Sequence, residues 1–184
     1  KGISAYGHQA RELGYYSDEV DNFYIEALEA ITDDTLTVEE LIRLTMRTGE
    51  MAIAVMQKLD EANTEVYGNP SPHTVDVHMK KGPFIVVSGH DLKDLEMLLE
   101  QTKGKGINIY THGEMLPCHG YEGLKKYPHL VGNFGGAWQD QQKQFDNLPG
   151  CILMTTNCLM RPRESYKDRI YSTNVVGWEG VKYI

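Results

Sequence analysis

Residues 84–90, Phe84-Ile85-Val86-Val87-Ser88-Gly89-His90, are the stretch whose reading decides the fold. Four apolar residues, three of them β-branched, run unbroken into Ser-Gly. A short continuous apolar run of this kind marks a strand buried on both faces, as in a parallel sheet covered by helices. Two later stretches repeat the pattern, Ile107-Asn108-Ile109-Tyr110-Thr111-His112-Gly113-Glu114 and Cys151-Ile152-Leu153-Met154-Thr155-Thr156-Asn157-Cys158. Each unit ends on a residue that could hold a metal: His90, Glu114 and Cys158. Ligands of open α/β sheets bind beyond the carboxyl ends of the strands. An imidazole, a carboxylate and a thiolate at three such ends form a mixed N/O/S set, which suits iron or zinc better than magnesium or calcium.

Around these units, strand-length apolar runs alternate with helical ones. Asp91 is placed to cap a helix with Leu92, Leu95, Leu98 and Leu99 inward, ended by Gly104 and Gly106. Leu130-Val131 reads as a short strand, Gly135-Gly136 leads into a helix over residues 137–145, and Pro149-Gly150 turns into the strand that Cys151 begins. Ile170-Tyr171 and Val175-Val176 read as further short strands. The alternation predicts an α/β class, a Rossmann-like parallel sheet with flanking helices, over residues 81–184.

Residues 1–80 read differently, as a helical-bundle segment followed by a linker. Ser17 is a candidate N-cap, with Val20, Phe23, Tyr24, Ala27, Leu28 and Ile31 on one helical face. Thr37 and Glu40 form a capping box that opens a long helix with the stripe Leu41, Leu44, Thr48, Met51, Val55, Leu59. Gly49 inside it predicts close packing against a neighbour. Gly68-Asn69-Pro70-Ser71-Pro72 punctuates the chain, and residues 68–82 form a linker or crossover carrying His73 and His78 as solvated or structural loop histidines.

The 184 residues are 41% hydrophobic and 24% charged, ordinary values for a globular protein able to bury a core. A net charge of −8 argues against a nucleic-acid partner, since phosphate binding needs clustered Lys and Arg. No apolar run approaches the roughly 20 residues that cross a bilayer, and no signal-peptide pattern opens the chain. The three cysteines, Cys118, Cys151 and Cys158, form no CxxC and no even framework, so a reducing, cytoplasmic setting is expected. Because the chain begins at Lys1 and ends inside Val181-Lys182-Tyr183-Ile184, it reads as a piece of a longer protein.

Each candidate residue also has a plainer role. A histidine after a buried strand is more often a structural hydrogen bonder than a ligand, Glu114 could cap a turn, and Cys158 could be a small buried hydrophobe. Their shared topological position favours one metal site, with a nucleophilic Cys158–His90 pair as the rival. His112 is either a support for a ligand or a strand-end hydrogen bonder. Cys118 reads as a spectator, Cys151 and Trp138 as core, and Gly135-Gly136 as a tight turn. No phosphate-binding loop appears, because Gly132-Asn133-Phe134-Gly135-Gly136 lacks both the GxGxxG spacing and its strand–helix context.

Four stretches then point further. Val87-Ser88-Gly89-His90-Asp91-Leu92, Tyr110-Thr111-His112-Gly113-Glu114-Met115-Leu116-Pro117, Gly132-Asn133-Phe134-Gly135-Gly136-Ala137-Trp138 and Met154-Thr155-Thr156-Asn157-Cys158 resemble the hybrid cluster protein family, the prismane or hydroxylamine reductase proteins. Leu59-Asp60-Glu61-Ala62-Asn63-Thr64, Tyr67-Gly68-Asn69-Pro70 and Val175-Val176-Gly177-Trp178 match it too, so the resemblance spans nearly the whole chain. It implies a hybrid iron–sulfur–oxygen cluster whose ligands include His90, Glu114 and Cys158. It also implies a parent with an N-terminal cysteine-bound iron–sulfur cluster and a redox partner protein, reducing hydroxylamine to ammonia; nitric oxide reduction and protein S-nitrosylation are also attributed to the family. The ligands of the N-terminal cluster are absent here, as are the later cysteines, Glu and Lys of the hybrid cluster. Cys118 falls where a small non-ligand residue is expected. This chain therefore corresponds to the end of a helical first domain and much of the central α/β domain, and alone it is expected to be inactive and free of cluster. The alternatives are an α/β binding or scaffold domain without redox chemistry, or a Cys–His hydrolase using Cys158 and His90.

Overall fold

The computed structural model describes residues 1–156 and 158–184; Asn157 of the Thr-Thr-Asn-Cys stretch lies outside them. The chain divides into two compact units, Lys1–Val66 and Tyr67–Ile184.

The first unit is helical: α1 (Gly2–Glu12), α2 (Asp18–Ala30) and most of α3 (Val38–Tyr67). Ser17 caps α2 by accepting the Val20 N–H, with Asp18, Glu19 and Asp21 in the first turn favoured by the helix dipole. At the next start, Thr37 Oγ1 accepts the Glu40 N–H (3.3 Å) while Glu40 Oε2 accepts the Thr37 N–H (2.8 Å), the reciprocal bonds of a capping box. The core of this unit is Val20, Phe23, Met51 and Val55, backed by Leu44, Ala27 and Tyr6. Of the expected α3 stripe, Met51 and Val55 are buried, whereas Leu41 and Thr48 are exposed. Gly49 is not a packing contact: a Cβ there would meet nothing within 4 Å.

The second unit is an α/β sheet. Its strands are β1 (Phe84–Ser88), β2 (Asn108–His112), β3 (Leu130–Asn133), β4 (Cys151–Met154), β5 (Ile170–Ser172) and β6 (Lys182–Tyr183). All five pairings are parallel and the order is β3-β2-β1-β4-β5-β6. The chain builds outward from β1 to β3, returns to the other side of β1, and builds outward again to β6. The β1–β4 boundary is therefore the topological switch point, where a crevice opens at the carboxyl edge of such a sheet. Helices α4 (Leu92–Thr102), α5 (Glu122–Lys125) and α6 (Gln141–Gln144) lie in the connections. Val86, Tyr110, Ile152, Met154, Phe145, Tyr166 and Ile170 form the core, with Phe145 edge-on to Tyr166 at 5.8 Å between ring centroids.

Several expectations are corrected here. Val175-Val176 lie in a turn and loop, and the last strand is Lys182–Tyr183 instead. The helix expected over residues 137–145 is a 3-10 turn, Trp138–Asp140, followed by the single α-turn of α6. Trp138 is 45% exposed, not core. Cys151 is exposed as well, because it sits at the amino end of β4 where burial only begins. The segment 68–82 is more than a linker: Asp76 O accepts the Asn133 N–H (2.8 Å) and the Lys80 N–H donates to Tyr110 Oη (2.7 Å), so its backbone covers the outer edge of β3.

Candidate metal centre

Three loops leave the carboxyl edge next to one another, each with its own fastening. After β1, Gly89 adopts φ +118°, and a Cβ there would lie 2.3 Å from Thr155 Oγ1 and 2.5 Å from Thr156 Oγ1. Only glycine fits so close to the neighbouring loop. The same threonines tie the loops together: the Thr155 N–H donates to Ser88 O (2.9 Å) and the His90 N–H to Thr156 Oγ1 (3.1 Å). Asp91, almost fully buried, then accepts the Lys93 and Asp94 N–H groups at the start of α4 and takes a third bond from Asn174 Nδ2 (2.9 Å). His90 is thus held between a locked glycine and a capped helix.

Glu114 stands two residues beyond β2, in a 3-10 helix over Gly113–Gly120, where Gly113 turns the chain with φ +60°. Cys158 lies four residues beyond β4. The folded chain brings the three expected residues to one rim. Glu114 Oε2 is 3.3 Å from Cys158 Sγ, which donates to it, and 3.9 Å from His90 Nε2. Burial, reinforced by the Glu114 carboxylate, pushes the Cys158 thiol up to about 12. The thiol is therefore protonated and engaged at neutral pH. Among the described residues, no group of three His, Cys, Asp or Glu side chains is arranged to enclose a single metal ion.

Beneath the rim is a polar relay that the sequence only hinted at. His112, fully buried, has Nδ1 2.9 Å from Ser88 Oγ and Nε2 2.8 Å from Gln144 Oε1. Because a carbonyl oxygen can only accept, Nε2 carries the proton and the Ser88 hydroxyl donates to Nδ1. Burial lowers the His112 pKa and keeps the ring neutral. His112 is therefore a strand-end hydrogen bonder that also fixes the chain two residues before Glu114.

The remaining candidates separate. His119 is buried near the end of the 3-10 helix, with Nε2 3.0 Å from Thr111 Oγ1, and burial lowers its pKa to about 4. Cys118 is fully buried and burial raises its thiol well above the ordinary range, as suits a spectator. His78 is an exposed loop residue bonded to Asp76. His73 lines a cavity of about 540 Å³ with Val75, Val77, Leu116 and His119. No helix among the described residues is long and apolar enough to cross a membrane.

A parallel sheet of this order, with an imidazole, a carboxylate and a thiol gathered at its carboxyl rim, defines an α/β protein of the open, parallel-sheet class. The chain belongs to the Prismane/CO dehydrogenase family, whose model matches residues 1–184. It is 54% identical over its whole length to the hydroxylamine reductase of Caldanaerobacter subterraneus subsp. tengcongensis and covers 34% of that protein. Against the hydroxylamine reductase of Kosmotoga olearia it is 56% identical with 33% covered, and against that of Thermoanaerobacter pseudethanolicus 52% with 34% covered. The chain thus spans about a third of the length of the curated relatives it matches.

Proposed function

We propose that this chain is the part of a hydroxylamine reductase that supplies His90, Glu114 and Cys158 to an iron–sulfur–oxygen cluster, in a protein that reduces hydroxylamine, with nitric oxide as a second substrate, in the cytoplasm. The observation that carries this reading is the meeting of three chemically different donors at the switch point, with one carboxylate oxygen 3.3 Å from a thiol sulfur and 3.9 Å from an imidazole nitrogen. The donor set suits iron, which takes imidazole, carboxylate and thiolate together. His90 would hold the cluster through its imidazole, Glu114 through its carboxylate and Cys158 through its thiolate. Bound there, such a cluster would supply electrons and an open iron position for an N–O group. The chain's own part is to present the donors in order: the Gly89–Thr155–Thr156 lock fixes the imidazole, His112 fixes the approach to the carboxylate, and the hydrogen bond to Glu114 holds the Cys158 thiol in place until its proton is lost to solvent on ligation. The reductant would come from a redox partner protein.

The high thiol pKa speaks against the Cys–His hydrolase, which needs a ready thiolate at neutral pH.

Anaerobic reconstitution of a full-length protein carrying this segment, followed by iron analysis and spectroscopy, tests the proposal. Replacing His90 with Ala, Glu114 with Gln or Cys158 with Ser should alter the iron spectrum. Each should lower hydroxylamine turnover by at least about tenfold to a hundredfold, the loss caused even by residues that merely support a ligand. Unchanged spectra and turnover in all three variants would overturn it.

A further inference from the structure

The Gly135-Gly136-Ala137-Trp138 stretch leads into α6, the single turn Gln141–Gln144, whose two end residues reach the two loops that matter. Gln141 is fully buried, and both ends of its amide are used. Its Nε2 donates to Cys158 O (2.5 Å) and Trp138 O (2.7 Å), and its Oε1 accepts the Met160 N–H (3.0 Å). It therefore grips the backbone on either side of Leu159, directly after the thiol. Gln144, one turn on, presents Oε1 to His112 Nε2 (2.8 Å) and to the Gly136 N–H (3.3 Å). The Gly136 N–H can only donate, which identifies that atom as the oxygen. A Cβ at Gly135 would lie 2.7 Å from that oxygen and 3.0 Å from His112 Cδ2, so the glycine pair lets the loop close over the bond. His112 in turn ends β2, two residues before Glu114.

We propose that Gln141 and Gln144 are positioning residues: one short turn of helix braces the Cys158 loop through one amide and the Glu114 loop, by way of His112, through the other. Neither side chain touches the donors. Their common helix converts two loops from different strands into one rigid rim and sets the 3.3 Å spacing between thiol and carboxylate. This rests on the reading of the rim as a metal centre, but its chemistry can be probed without metal. The two amides have different jobs. Gln144 is needed only as an acceptor, which a glutamate supplies equally well. Gln141 must donate twice and accept once, which no other side chain of that length can do.

The test is the alkylation rate of each cysteine, by peptide mapping of the iron-free, full-length protein, with thermal unfolding as a control. Gln141→Met and Gln144→Met should each speed Cys158 alkylation about tenfold, the size expected when a buried polar brace is lost. Gln144→Glu should stay within about twofold of the parent. Cys118, fully buried in the same unit, should remain unreactive in all of them. If a methionine variant does not fold, Gln141→Asn, one methylene short, should show the same rise. Met and Glu at position 144 behaving alike, or Cys118 opening together with Cys158, would mean general loosening and overturn the brace. After iron loading, the methionine variants should change the iron spectrum while Gln144→Glu does not. A parent protein that never binds iron would sink the metal reading alone and leave the thiol result to decide the brace.

Discussion

Gly89 shows how much of this site rests on one missing methyl group. Its φ of +118° is strained for any L side chain, and a Cβ would also strike Thr155 Oγ1, Thr156 Oγ1 and the Thr156 backbone nitrogen at 2.3, 2.5 and 2.9 Å. Gly89→Ala should therefore destabilise the protein by about 2–4 kcal/mol, backbone strain and overpacking combined, as measured by urea unfolding. Cys158 makes the other residue-scale prediction. Its pKa of about 12 lies above that of an ordinary thiol, so the native state holds a proton that the unfolded state gives up earlier. Stability from this group is complete below about pH 8.5, the ordinary thiol value, and is lost as pH rises toward 12. At pH 8 iodoacetamide should label exposed Cys151 at least about a hundredfold faster than Cys158, because only the thiolate reacts. Glu114→Gln should narrow that gap. Equal rates for the two cysteines would contradict the protonated, hydrogen-bonded thiol.

At the scale of elements, the carboxyl ends of β1, β2 and β4 hold groups that sequence reasoning passed over. Ser88, Thr155, Thr156 and Gln141, all buried, and Gln144, partly buried, are ordinary polar residues, and nothing in their local pattern says so. The signal that could have found them was Gln141 and Gln144 at a spacing of one helical turn just after a glycine pair. The strands themselves were legible, because unbroken apolar runs such as residues 84–87 and 151–154 have only one economical use in a chain of this composition. The helix expected over residues 137–145 was not, since the segment splits into a 3-10 turn at Trp138–Asp140 and the single α-turn Gln141–Gln144. Histidine placement makes a testable statement here. His119 has its pKa lowered to about 4 by burial, so the unfolded state takes up its proton first as pH falls. Stability from this group is fully present above about pH 6.5 and is lost between there and pH 4. His119→Gln should flatten that part of the pH–stability curve measured by thermal unfolding. An unchanged slope would show that other groups carry it.

Across the whole molecule, the two units differ in how completely the described residues satisfy their own apolar surface. The sheet unit encloses a dense aromatic core, while the helical unit leaves Ile42, Met46, Ile53 and Met56 exposed along one side of α3. Helical periodicity identified α3 as amphipathic, but periodicity cannot say which of two apolar stripes is covered; packing partners decide that. The sequence by itself determined the alternation of buried strands and helices, the two capped helices at Ser17 and Thr37, and the kinship of its motifs. These follow from local preferences and from runs of residues that have no other place to go. Only the tertiary structure decided that β4 returns beside β1 and so creates a switch point, that Glu114 turns toward Cys158 while Cys118 turns inward, and that two glutamines hold the rim. Distances between residues far apart in the chain are set by strand order and by buried hydrogen bonds, and neither is written in any single stretch.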